Sequence, residues 1–139
     1  AGGWLATSSQ LVKLVLAIDG FDTQPDLLSS ASIETMTTGI TQGGSPMGWK
    51  GVDAKGNWWR TGTLAGTSAL LMRQDDGTCF AVILNTSTYS GARFTTEINK
   101  AMQKALVGIE KWPTHDLFKY FEPTVISPIP PNNWPLAIN

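Results

Sequence analysis

Two near-continuous apolar runs, Ala69-Leu70-Leu71-Met72 and Phe80-Ala81-Val82-Ile83-Leu84, stand on either side of Asp75-Asp76-Gly77. Short apolar runs joined by such a tight-turn signal pair as an antiparallel hairpin. Side chains alternate between the two faces of a strand, so runs that are apolar at both parities need cover on both faces. Upstream, Trp49, Val52, Trp58 and Trp59 flank a second turn, Asp53-Ala54-Lys55-Gly56. The pattern predicts strands over 67–73 and 78–85 in an antiparallel meander of three to four strands. Such a sheet requires helices to close it.

The helices are marked by their own spacing. Thr7-Ser8-Ser9-Gln10 reads as a capping box, in which the Thr oxygen takes one orphan amide and the Gln reaches back to another. Leu11, Leu14, Val15 and Ile18 follow at helical spacing, with Val12 and Leu16 widening the stripe and Gly20 placed for a C-terminal cap. A helix over 8–19, buried on more than one face, is expected. Leu27-Leu28-Ser29-Ser30 leads into a shorter helix with Ile33 and Met36 inward and Gly39 as its stop. Four glycines and a proline make 39–48 a loop. A last helix is expected over 92–107, with Phe94, Ile98, Ala101, Met102 and Ala105 on one face and Lys100, Gln103 and Lys104 opposite. The fold class is α+β: a meander packed against helices.

Residues 1–121 form the expected domain, and 122–139 a proline-rich extension. Five of the eight prolines fall in 123–139, a composition that favours polyproline II, with Trp134 and Ile138 as its anchors. The 139 residues suit one domain with a real core. A net charge of −1 with no basic block argues against nucleic acid as a partner. One cysteine and one histidine leave no disulfide framework and no Cys/His zinc set, and no cofactor or metal is implied. The longest apolar runs fall far short of the roughly 18 residues that span a bilayer. The first residue is Ala rather than Met, and the expectation is that a leader or a larger N-terminal region has been removed.

Little of the remaining sequence offers chemistry. A Ser-His-Asp site would have to use His115 beside its own neighbour Asp116, and no Gly-x-Ser-x-Gly elbow is present, so His115 reads as a surface or packing residue. Cys79 lies in an expected strand and reads as a buried structural thiol. The carboxylates are scattered over turns and helix surfaces. Arg60-Thr61-Gly62 stands apart, near the end of a strand and followed by Thr63. A cation and a hydroxyl can hold a substrate carboxylate, and glycine permits close backbone approach. The amide of the next residue can help stabilise an oxyanion. An ordinary twisted strand end would also use three such residues.

The segment resembles the Lys-Thr-Gly element of penicillin-binding proteins and serine β-lactamases. The chain from Ala1 to Leu106 resembles the C-terminal part of the β-lactamase-like serine hydrolase family, in its class C β-lactamase, D-aminopeptidase and esterase group. Gly2-Gly3-Trp4-Leu5-Ala6-Thr7 stands where that group opens a helix, and Gly48-Trp49 precedes the motif strand. Gly66-Thr67-Ser68 follows the motif, and Leu84-Asn85 closes a strand before a terminal helix. The resemblance implies that Arg60, Thr61, Gly62, Asn85 and Arg93 bind a small-molecule or peptide acyl substrate, with the Thr63 amide as oxyanion donor. It also implies an extracellular or periplasmic protein. The sequon Asn85-Thr86-Ser87, close to the implied pocket, reads as unmodified.

The departures are as informative. The family nucleophile is the serine of Ser-x-x-Lys, yet no serine here has a lysine three residues later. Tyr-x-Asn is also missing, since Tyr89 is followed by Ser90-Gly91 and Tyr120 by Phe121-Glu122. Arg60 keeps the charge of the family lysine but cannot exchange a proton near neutral pH. Three readings follow. The chain is the C-terminal fragment or subunit of a serine hydrolase acting on an amide, lactam or ester, inactive alone for want of a nucleophile. Alternatively, it is a non-catalytic binding or interaction domain derived from that fold, or an unrelated α+β domain. The resemblance further implies that the strand near Phe80–Leu84 lacks its usual neighbour, and a bare apolar edge invites association. The missing N-terminal part, a second copy of the chain or the proline-rich tail is expected to cover it.

Overall fold

The computed structural model describes residues 5–39, 44–89, 93–116 and 118. Residues 1–4 and the proline-rich extension, with Gly2-Gly3, Trp134 and Ile138, lie outside the described residues. At the front of the chain the Thr7 hydroxyl accepts the Gln10 amide at 3.2 Å while Gln10 Oε1 accepts the Thr7 amide at 2.8 Å. This capping box starts helix α1, Ser8–Leu16. The helix stops short of the expected residue 19, and Ala17, not Gly20, is its cap. The reason is local: the Ala17 amide is shared between the Lys13 and Leu14 carbonyls, and Ile18 N–H reaches Val15. The tightened turn leads the chain inward at Asp19. Nor is α1 buried on more than one face, since Val15 is buried and Leu14 is half exposed.

Helix α2, Ser30–Thr38, is capped by the Ser29 hydroxyl and ended by Gly39. A side chain at Gly39 would meet the backbone of Gly44 and Ser45 at 2.9 Å, on top of its positive φ of 83°. Four strands follow: β1 (Gly51–Val52), β2 (Trp58–Leu64), β3 (Thr67–Arg73) and β4 (Cys79–Leu84). They form one antiparallel sheet in sequence order, the expected meander. Helix α3, Arg93–Val107, is the last helix or strand among the described residues.

The register sets Trp58 opposite Arg73 and Met72 opposite Phe80, which separates two cores. On one face Trp58, Leu71 and Cys79 meet Val15, Ile33 and Trp49, covered by α1 and α2. On the other, Leu70, Met72 and Phe80 meet Phe94, Ile98, Met102 and Leu106 of α3. Both faces of the apolar strands are therefore covered. Ala101 and Ala105, expected inward, are exposed, whereas Gln103, expected outward, is half buried. Its side-chain carbonyl accepts from Gln74 at 3.3 Å, which draws that flank of α3 onto the sheet.

Arg73 links parts of the chain that no local pattern connects. Its guanidinium lies between the rings of Phe21 (3.9 Å) and Trp58 (4.3 Å) and is 8% exposed. Nε and Nη2 donate to the Asp19 carbonyl at 3.1 and 2.7 Å, and Nη1 donates to that of Gly56 at 3.0 Å. Burial lowers the Arg73 pKa from its ordinary value, and the Asp19 charge opposes that shift. The opposite margin of the sheet is simpler. Among the described residues no strand pairs with the outer edge of β4, and Ile83 on it is 45% exposed.

Candidate functional site

Arg60, Thr61, Gly62 and Thr63 all lie on β2, and the pleat divides them. Arg60 and Gly62 project on the α1 side of the sheet, Thr61 and Thr63 on the α3 side. Arg60, Gly62 and Thr63 are exposed, and Thr61 is half buried. A side chain at Gly62 would meet only the Ala69 methyl at 3.6 Å, ordinary contact, so no described residue crowds this glycine.

The backbone of β2 adds what the side chains do not. The Trp59 carbonyl accepts from Lys50 N–H at 2.8 Å, so the backbone groups of Trp59 point away from β3 toward β1. In an antiparallel ladder that direction repeats every second residue. Thr61 and Thr63 therefore turn their N–H and C=O groups to the same margin, beyond the end of β1, which reaches only Trp58 and Trp59. No described strand pairs with them there. Beside them β2 turns into β3 through Ala65-Gly66, and Gly66 N–H donates to Ser87 Oγ at 3.0 Å. Thr63, Ser68 and Leu84 lie in one row across the three strands. Asn85 follows Leu84 directly and is exposed, and Arg93 opens α3 and is exposed. No described contact joins Asn85 or Arg93 to Arg60. Ser68 is fully buried in that row, and its hydroxyl has no hydrogen-bond partner among the described residues.

A cavity of about 520 Å³ opens on the α3 side, toward the other end of the sheet. Thr61 is the member of the motif that lines it, with Trp59, Met72, Gln74, Asn99 and Gln103. Motif reasoning does not reach these residues. The available signal is a polar stripe on α3, Thr95, Asn99 and Gln103 at four-residue intervals, beside the apolar stripe of Phe94, Ile98 and Met102. At the cavity rim Asp53 accepts the Asn57 side chain at 2.8 Å and the amides of Asn57 and Lys55. These bonds, the Asn57 side chain first, lower the Asp53 pKa from its ordinary value. A depressed carboxylate pKa stabilises the fold above the unfolded value, and that contribution is lost as pH falls through the folded one. The melting-temperature gap between wild type and Asp53→Asn is therefore expected to shrink as pH falls below about 4. A gap that stays constant in acid would refute this role.

The other candidate groups offer little. Burial pushes the Cys79 thiol up to about 11, far from a thiolate at neutral pH. His115 is exposed in the segment after α3. Among the described residues no group of three or more His, Cys, Asp or Glu could hold a metal ion, and no helix is long and apolar enough to cross a membrane.

No protein-family model, curated protein or solved structure matches the chain.

Proposed function

We propose that this chain supplies one wall of the acyl-transfer site of a β-lactamase-like serine hydrolase, with the nucleophile contributed by residues outside this sequence. One observation carries the reading: the exposed motif strand turns the backbone groups of Thr61 and Thr63 to a margin where no described strand takes them. A preorganised amide on such an edge is suited to an oxyanion, because it needs no reorganisation as charge develops. Arg60 would set a fixed positive charge near the substrate carboxylate, and the Thr61 and Gly62 backbone would lie along the substrate. In this reading Asn85 and Arg93 help from the far side of the row. A strand from the N-terminal part of the hydrolase would add to the edge of β4 that no described strand takes.

Without Ser-x-x-Lys the covalent route has no first step, so the 139 residues alone are expected to leave nitrocefin and p-nitrophenyl esters unhydrolysed. The natural gene product is expected to take a covalent label from a fluorescent penicillin or fluorophosphonate, on a serine outside these residues. Labelled turnover by the 139 residues themselves would overturn the proposal. A natural product that begins near Ala1 and takes no label would favour the non-catalytic binding domain instead.

A further inference from the structure

We infer that the cavity between α3 and the sheet, separate from the Arg60 side of β2, is a binding site for a neutral polyhydroxylated ligand, a saccharide unit. Its size of about 520 Å³ falls in the range of roughly 300–1,000 Å³ usual for small-molecule sites. Its lining combines an apolar floor with amide walls. Leu70, Met72 and the Trp59 indole form the floor, and Gln74, Gln103 and Asn99 the walls. The indole lies against Gly51: a side chain there would collide with the Trp59 ring, which occupies the space a Cβ would need.

The three amides carry the argument. Gln74 Nε2 donates to Gln103 Oε1 at 3.3 Å, and Gln103 Nε2 donates to Asn99 Oδ1 at 3.3 Å. The relay runs one way and leaves a buried, unpartnered acceptor at one end, Gln74 Oε1. At the other end the Asn99 amide donates to no described residue. Turning all three amides over reverses the relay, so its Asn99 end, on a residue that lines the cavity, presents N–H donors in one sense and a carbonyl in the other, while the Gln74 end stays closed off. A hydroxyl donates and accepts, and thus meets the Asn99 end in either orientation. A purely apolar ligand would strand the Asn99 end, which costs more than an ordinary hydrogen bond returns. An anion would meet Asp53 and Asp75 at the rim against Lys55 alone. The Asp53 carboxylate is already taken by Asn57 and its neighbouring amides, which argues against a cation. An aromatic floor below hydroxyl-reading amides suits the apolar C–H face and polar edge of a sugar ring.

The test is titration of the ¹⁵N-labelled 139-residue chain with cellotriose, maltotriose and chitotriose, read by amide chemical shifts. At least one is expected to give saturable shifts centred on the side-chain amides of Gln74, Asn99 and Gln103 and on the Trp59 indole N–H. Asn99→Ala is expected to weaken that binding about tenfold, the loss of roughly one hydrogen bond. Alanine raises helix propensity, so this variant keeps its fold. Glu34→Gln, on the far helix α2, is expected to bind as wild type. Absence of saturable shifts with all three sugars, shifts located elsewhere, or undiminished binding by a folded Asn99→Ala variant would each overturn the inference. Every one of these outcomes leaves the acyl-labelling test of β2 unaffected.

Discussion

Thr63→Pro in the natural, nucleophile-bearing gene product is expected to lower kcat about 10²–10³-fold, the range seen when one oxyanion donor is removed. Proline deletes the N–H and leaves the rest of the strand in place. Ordinarily that substitution breaks a sheet, because it removes a ladder bond. Here the Thr63 N–H points away from β3, past the end of β1, so no described strand loses a bond. Edge positions facing outward are where strands tolerate proline. Thr63→Ala is the matched control: it removes the exposed hydroxyl and methyl but keeps the amide, and is expected to hold kcat near wild type. Steady-state kinetics on nitrocefin or a p-nitrophenyl ester, beside thermal melts of each variant, check both. Wild-type kcat in a folded Thr63→Pro variant would remove the oxyanion role.

Arg73→Ala is expected to cost about 3 kcal/mol of stability, summed from its charge-assisted bonds and cation–π contacts. For a chain of this length that corresponds to a melting temperature lower by roughly 10 °C. The loss is large because the guanidinium satisfies carbonyls in two separate segments, at Asp19 and Gly56, and fills the gap between Phe21 and Trp58. Deleting it strands buried carbonyls as well as removing contacts. Arg73→Lys keeps the charge but has no planar group to stack or to fork between two carbonyls, so it is expected to recover less than half of the loss. Urea unfolding of the three proteins measures this. Equal stability of the alanine variant and wild type would show that the contacts are incidental.

Arg73 also marks where sequence reasoning stops. Hydrophobic period and turn chemistry are local signals, and they suffice for β3, β4 and α2, whose ends follow from Asp75-Asp76-Gly77, Ser29 and Gly39. The end of α1 was not legible, because Asp19 turns inward toward an arginine 54 positions away. The rotation of α3 was missed for a similar reason: Gln103 counts as polar in any pattern, and its bond to Gln74 exists only after the sheet has formed. At the motif, residue types indicated what Arg60, Thr61 and Gly62 can do. That Arg60 and Thr61 project to opposite faces, and that the Thr63 backbone faces an open margin, required the ladder. The pairing of β1 with only two residues of β2 is a geometric fact with no compositional signature.

That shortness of β1, together with the bare side of β4, has a consequence at the scale of many molecules. Among the described residues the sheet is unpaired at two margins, and the margins differ: one is the apolar run Cys79–Leu84, the other the exposed stretch of β2 beyond β1. Two unlike, unsatisfied ends on one body are the elements of a head-to-tail contact that does not close on itself. Were both left open, the chain would have the valence of a link, able to propagate in a line. Whatever seals either margin, a neighbouring strand or an extended substrate, therefore also acts as a terminator.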